Sequence, residues 1–297
     1  SEHSVQGATW SIEIDVPDLD IGQWVSLLPD EMSPVLSGAG AGFISARLRG
    51  GLPLAIDVDV DLQDVRIALP DAEPIVYEQV AGEVSFERDN QSWQFSGRKF
   101  VLQRYQQQWP PGRFDGQVLL DADNRPSSFM LDVDFANLNN LMPLGTAFAR
   151  RQLESIGFGG QLGGRLAGVR LRGSLIDGNV SNLSVRGAFT NVSYVNESVG
   201  INIAGVSGNI DGGIESGQLN IDIRNGRFQL DDFFREAINA ERLDTQVLWS
   251  RSDDGLLVEA AAIELQTPYG TGSGELSLFK AVDDNSGWIM DFSAVAR

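Results

Sequence analysis

The feature that most constrains the fold is a strict alternation of apolar and polar side chains along short segments. In residues 56–63 four aliphatic residues alternate with three aspartates and a glutamine. Successive side chains of a β-strand point to opposite faces, so this segment is expected to form a strand with one dry face and one wet face. The same alternation recurs in residues 129–135 and 219–224. The dry faces of the three segments consist of Ile56, Val58, Val60, Leu62, Phe129, Leu131, Val133, Phe135, Leu219, Ile221 and Ile223.

Glycines divide most of the chain into segments of this kind. The 33 glycines, many of them in pairs, are typical of turns and bulges and indicate about 18 to 20 strands. Helical spacing of apolar residues occurs in only two regions, near 18–28 and 137–156, which end at Pro29 and Gly157. The sequence therefore predicts a mainly β, antiparallel fold with two short helices.

An internal repeat organises these segments. RLRG at 47–50 returns at 170–173, an offset of 170 − 47 = 123, and QVL at 117–119 returns at 246–248, an offset of 246 − 117 = 129. Two further phrases that lie between these two are also repeated, and they return in the same order in the second half. These offsets indicate duplication of a unit of about 125 residues. We therefore expect a first β repeat over 1–156 and a second over 157–297, and because no Pro/Ser-rich linker separates them, one continuous sheet.

The composition argues against most enzyme chemistry. The chain has no cysteine and one histidine, His3, so thiol chemistry, Cys-ligated metals and histidine-based catalysis have almost no residues on which to rest. The 22 basic and 41 acidic residues give 22 − 41 = −19, which would repel nucleic acid. Alternating carboxylates in 57–64 lie about 6.5–7 Å apart on a strand, too far for one ion. We expect no enzyme activity, no cofactor and no metal requirement.

The dry face leaves several interpretations open. The sheet could fold onto itself as a sandwich, close as a barrel, or curl into an open trough whose inner face is covered by something apolar. For a lipid, each buried methylene contributes about 0.8 kcal/mol. The alternative is a β-sandwich binding or structural module, in which Tyr105, Trp109 and Phe114 would form a glycan-stacking platform or simply plug the sheet.

The second half of the chain also resembles a known family. The phrases GAFTNVSY (187–194), GVSGNI (205–210), SGQLNIDIRNGRF (216–228), FFRE (233–236) and TPYGTGSGEL (267–276) are similar to the YhdP branch of the AsmA-like envelope proteins of Gram-negative bacteria. These are strand-and-turn phrases, with GVSGNI read as a turn, and they contain no catalytic signature.

The resemblance implies a taco-shaped β-groove that carries phospholipid. It implies a periplasmic segment of a longer chain, anchored in the inner membrane, which conducts lipid toward the outer membrane. It implies no catalytic residues. The eleven dry-face residues named above are the side chains that we expect to contact lipid.

Overall fold

The computed structural model describes residues 8–25, 35–50, 52–69, 72–89, 91–104, 110–143, 160–176, 179–230, 236–282 and 288–296. Fifteen β-strands account for most of these residues, together with two short helices and one turn of 3-10 helix at Glu197–Val199. Helix α1 is Ile21–Val25, and residues 138–143 form the described part of α2. The strands are β1 (Thr9–Asp20), β2 (Val35–Arg49), β3 (Leu52–Leu69), β4 (Ala72–Arg88), β5 (Ser92–Gln103), β6 (Gly112–Leu120), β7 (Pro126–Asn137), β8 (Gln161–Ile176), β9 (Asn179–Asn196), β10 (Ile201–Gly213), β11 (Ser216–Leu230), β12 (Ile238–Arg251), β13 (Gly255–Thr267), β14 (Gly270–Ala281) and β15 (Ile289–Ala296).

The strands follow their chain order in one sheet, from β1 to β15. Every neighbouring pair from β1 to β7 is antiparallel, and so is every pair from β9 to β15. The predicted mainly β, antiparallel fold is therefore confirmed. The chain divides into two compact units, the first with β1–β6 and most of β7, the second with most of β8 and β9 and with β10–β15.

Several details of the sequence prediction were wrong. The first helix was expected near 18–28, but β1 continues to Asp20 because Leu19 and Asp20 pair with Gly40 and Ala39, and only Ile21–Val25 is helical. Residues 26–28 lie outside the described ranges. The second helix was expected over 137–156, but residue 137 ends β7, and 144–156 are likewise not described.

The strands are also fewer and longer than expected. Fifteen are described instead of 18 to 20, and the longest have 18 residues. One reason is that the glycine pair at 163–164 and the GVSGNI phrase at 205–210 lie inside strands instead of at turns. Gly205, with φ of 80°, sits at a register shift between β9, β10 and β11. There it forms a bulge, which bends a strand without ending it.

The first unit has a packed core at one end of its apolar face. Leu62, Val65, Ile75, Tyr77 and Leu102 are all nearly inaccessible to solvent. Burial raises the pKa of Tyr77 to about 12, although the positive charge of Arg104 acts in the opposite direction. This end of the sheet is therefore covered by protein.

Helix α1 lies beside this packed region. A methyl group added at Gly38 would come within 3.4 Å of Ile21 in the helix and 3.1 Å of Val65 in the core. The side chain of Ile21 therefore packs against Gly38 at the edge of this core. In the described part of the chain no helix is long and apolar enough to cross a membrane.

Candidate functional site

The apolar side chains of the first unit line up into ladders that cross its strands. The strand registers place residues of β1 to β7 directly opposite one another, and in two ladders every position is apolar or glycine. The first ladder consists of Ile12, Ala46, Ile56, Phe86, Phe95, Gly116 and Leu131, and the second of Ile14, Ile44, Val58, Val84, Gly97, Phe114 and Val133. The alternation seen along each strand thus becomes a continuous apolar face across seven strands.

This face is open to solvent over much of its area. Ile12, Ile14 and Ile44 expose 45%, 48% and 43% of their surface, and the ladder positions of β3 to β7 are mostly half-buried. Side chains between two packed sheets would be almost fully buried. No second sheet covers the face among the described strands, which all belong to one sheet. The β-sandwich alternative is therefore not what these residues form.

Aromatic rings fill the middle of the face where the strands carry glycine. A methyl group added at Gly116 would lie 2.2 Å from the Phe95 ring, and one at Gly97 would lie 2.1 Å from the Phe114 ring. Each ring therefore lies flat over a glycine of the neighbouring strand. The Phe114 ring also meets Phe100 edge to face, with centroids 5.7 Å apart. This packing gives the face a smooth aromatic surface with few gaps.

The opposite face of the first unit is polar and internally hydrogen-bonded. Asp57 accepts a hydrogen bond from the Ser85 hydroxyl at 2.7 Å, and Asp61 accepts one from the Gln79 side-chain amide at 2.7 Å. These carboxylates are solvated surface groups. No cluster of three or more His, Cys, Asp or Glu suited to a metal occurs within the described ranges.

The second unit repeats the pattern with its own residues. Three ladders cross β9 to β15, and all their positions are apolar or glycine except one threonine. They consist of Gly187, Ile210, Leu219, Val247, Ala260, Leu276 and Phe292; of Phe189, Gly208, Ile221, Thr245, Ile263, Gly274 and Ala294; and of Val185, Gly212, Gly217, Trp249, Val258, Leu278 and Met290. On β15 these side chains are exposed, and most of the rest are half-buried.

Trp249 is the largest side chain in these ladders. Its ring lies over Gly212 and Gly217, where an added methyl group would come within 2.7 and 2.2 Å of ring carbons. Its indole Nε1 donates a hydrogen bond to the Gly213 carbonyl at 2.8 Å. The ring is thereby fixed flat against the sheet, with one side available for contact.

Ion pairs and amide hydrogen bonds cover the opposite face of the second unit. Arg224 lies 2.8 Å from Asp222 and 3.5 Å from Asp244, and Arg242 also pairs with Asp244. The Asn220 side chain donates to Asn209 at 2.9 Å. In each unit, therefore, one face is wet and the other is apolar.

The structure brings the predicted site residues together on these faces. Nine of the eleven are half-buried members of the apolar faces: Ile56, Val58, Val60, Phe129, Leu131, Val133, Phe135, Leu219 and Ile221. Leu62 and Ile223 expose only 6% and 1% of their surface. Leu62 belongs to the packed core, and Ile223 lies against Gly226, where a methyl group would be 2.3 Å away. Protein already covers these two side chains.

Of the three aromatic residues considered for glycan stacking, only Phe114 can be placed. It lies on the apolar face against Phe95 and Phe100, with its ring packed over Gly97. Tyr105 and Trp109 lie outside the described residues.

The sequence prediction missed a set of cations at the margin of the apolar faces. Arg88 pairs with Trp93 across β4 and β5, and its guanidinium carbon lies 5.9 Å from the centre of the Trp93 ring. In the second unit Lys280 Nζ lies 5.8 Å from the centre of the Trp288 ring. The sequence does contain a signal for these cations. Each of them follows an apolar residue by two positions, and residues two positions apart on a strand lie on the same face.

The comparisons with known proteins add a family assignment. A family model described as YhdP protein matches residues 8–295. Neither the search of curated proteins nor that of solved structures found a match. The match spans almost the whole chain and extends the resemblance of the second half to the first half. The chain therefore belongs to the YhdP family of bacterial envelope proteins.

Proposed function

We propose that this chain is a periplasmic segment of a bridge-like lipid-transfer protein, which shields phospholipid acyl chains on its apolar faces between the inner and outer membranes. The observation that carries the proposal is the half-buried apolar face of each unit, which is continuous over seven strands and has no second sheet packed on it among the described strands. Soluble proteins rarely leave a contiguous apolar surface of this extent without a partner. Family membership supports a role in the envelope.

The dimensions of one face suit an acyl chain. Seven strands at about 4.8 Å span roughly 29 Å across the ladders. The chain region of one bilayer leaflet is about 15 Å, half of the roughly 30 Å core. Removing sixteen methylenes from water contributes about 12 kcal/mol at most. A lipid on this face would thus recover part of the energy that it has in a membrane.

The proposed mechanism is passive and involves no catalysis, cofactor or metal. The rings of Phe95, Phe114 and Trp249 lie over glycines of the neighbouring strands, so a chain could slide along them with little change in contact. The acidic opposite face, on a chain with a net charge of −19, keeps the sheet soluble and opposes association through its edges. We further propose that the segment belongs to a longer protein anchored in the inner membrane.

Site-specific photocrosslinking in the envelope of a Gram-negative host tests this function. A photoreactive phenylalanine analogue placed at Val58 or Val247 would lie on an apolar face, and one placed at the adjacent Asp59 or Gln246 would lie on the opposite face. We expect phospholipid adducts, detected by mass spectrometry, at the first two positions and none at the second two. Equal labelling of both faces, or no lipid adduct anywhere, would contradict the proposal.

A further inference from the structure

We propose that Arg251 and Lys280 form an anion site for the phosphate of a phospholipid whose acyl chains lie on the apolar ladders of the second unit. This inference rests on the proposed function and assigns the headgroup end of the same site.

The strand registers place both cations on the apolar face, at its margin. Trp249, Val258 and Leu278 form one ladder. The neighbouring ladder on the same face, two residues further along each strand, contains Arg251, Leu256 and Lys280. Arg251 pairs with Leu256, and Leu256 pairs with Lys280, so the two cations flank one leucine. They are two strands apart, or about 10 Å. Long side chains from both positions can reach an anion held between them.

The two cations have no acidic ion-pair partner among the described residues. Arg251 and Lys280 are exposed, and neither forms an ion pair within the described part of the chain. Cations of the opposite face behave differently: Arg186, Arg224 and Arg242 each pair with an aspartate. On a chain of net charge −19, two cations without an ion pair among the described residues, beside an apolar face, are complementary to an anionic amphiphile.

A tryptophan completes the site, and the same pairing occurs in the other unit. Lys280 Nζ lies 5.8 Å from the centre of the Trp288 ring. In the first unit Arg88, at the end of β4, lies 5.9 Å from the centre of the Trp93 ring. Tryptophan prefers the boundary between hydrocarbon and polar headgroups, where one part of its ring is dry and the other is wet. The recurrence places this boundary at a strand end in both units.

The chemistry at such a boundary fits a phosphodiester or phosphomonoester. Arg251 would donate hydrogen bonds to two phosphate oxygens through its guanidinium fork, and Lys280 would supply a compact positive charge. The acyl chains would run inward over Trp249, Val258 and Leu278. A free phosphate would lack this apolar contact, so the site would bind the lipid in preference to free phosphate.

Calorimetric titration of the 297-residue chain with three probes tests the site. Dioctanoylglycerol and dioctanoyl phosphatidate carry the same acyl chains and differ in the phosphate, and glycerol 3-phosphate carries the phosphate without the chains. We expect phosphatidate to bind about tenfold more tightly than dioctanoylglycerol, which corresponds to roughly 1.4 kcal/mol. We expect no binding of glycerol 3-phosphate at millimolar concentration.

The double variant Arg251→Gln/Lys280→Gln should bind both lipids with the affinity of dioctanoylglycerol. The control variant Arg186→Gln/Arg224→Gln removes the same charge from the opposite face, where both arginines pair with aspartates, and should keep the tenfold preference. An unchanged preference in the first variant, an equal loss for both lipids, or tight binding of glycerol 3-phosphate would overturn this inference while leaving the proposed function intact. If wild-type protein binds neither lipid, the proposed function itself fails.

Discussion

Replacing Val58 by aspartate distinguishes an open apolar face from a protein core. Val58 is half-buried between Ile44 and Val84. Burying a valine completely contributes about 2 kcal/mol, so the partly exposed Val58 side chain contributes about 1.5 kcal/mol. Aspartate also disfavours a strand by up to about 1 kcal/mol. Because its carboxylate can stay hydrated on an open face, we expect Val58→Asp to reduce the free energy of unfolding by about 2 kcal/mol.

Val65 provides the comparison in the same strand. It exposes only 2% of its surface in the packed core. Val65→Asp loses the full burial energy and also buries a carboxylate without a partner, so we expect a loss of more than about 4 kcal/mol. Gln117→Asp adds the same charge to the opposite face, between Gln94 and Met130, and should change stability by less than about 1 kcal/mol.

Urea unfolding followed by circular dichroism measures these differences, and mass spectrometry of lipid extracted from the same samples measures occupancy. We expect Val58→Asp to lose bound lipid while staying folded, and Gln117→Asp to retain it. Our reasoning is refuted if Val58→Asp unfolds the protein as severely as Val65→Asp does, because the face would then be covered by protein.

Three further predictions concern packing and ionisation. Gly116→Ala should destabilise the protein by about 1–3 kcal/mol in urea unfolding, because the new methyl group would lie 2.2 Å from the Phe95 ring; Gly272→Ala, whose nearest neighbour would be 3.5 Å away, should change stability by less than about 0.5 kcal/mol. The Tyr77 pKa of about 12 predicts one tyrosine that ionises late in an ultraviolet titration and disappears in Tyr77→Phe. Since the folded state holds this proton more strongly, its contribution to stability is present below about pH 10 and is lost as the pH rises toward 12. Thr245→Val should stabilise the protein by about 1 kcal/mol, because the buried Thr245 hydroxyl has no hydrogen-bond partner among the described residues; a loss of stability would show that the hydroxyl is satisfied.

The strands could be predicted from sequence where one face is dry and the other wet. Residues 56–63 alternate without interruption, and β3 has that segment at its centre. Asp18–Asp20 were assigned to a helix because their local apolar spacing fits one, but pairing with β2 extends the strand. The local pattern has no information on such a partner, which tertiary contacts supply.

The ladders and the cationic margin could not be predicted in the same way. Nothing in the sequence indicates that Phe95 covers Gly116, since this depends on the register between β5 and β6. Arg251 and Lys280 are 29 residues apart (280 − 251) and meet only because β13 lies between their strands. The missing information in both cases is how each strand aligns with the next, which turn length and bulges determine.

The consecutive order of the strands has a consequence for how the chain acquires its structure. Within each unit, each strand hydrogen-bonds to the one before it and the one after it. Pairing of this kind closes only short loops, so its entropic cost is low and folding is faster than for β-proteins with distant pairings. A chain that emerges from a ribosome or a translocation channel could add each new strand as soon as it appears, and need not wait for its C-terminal residues.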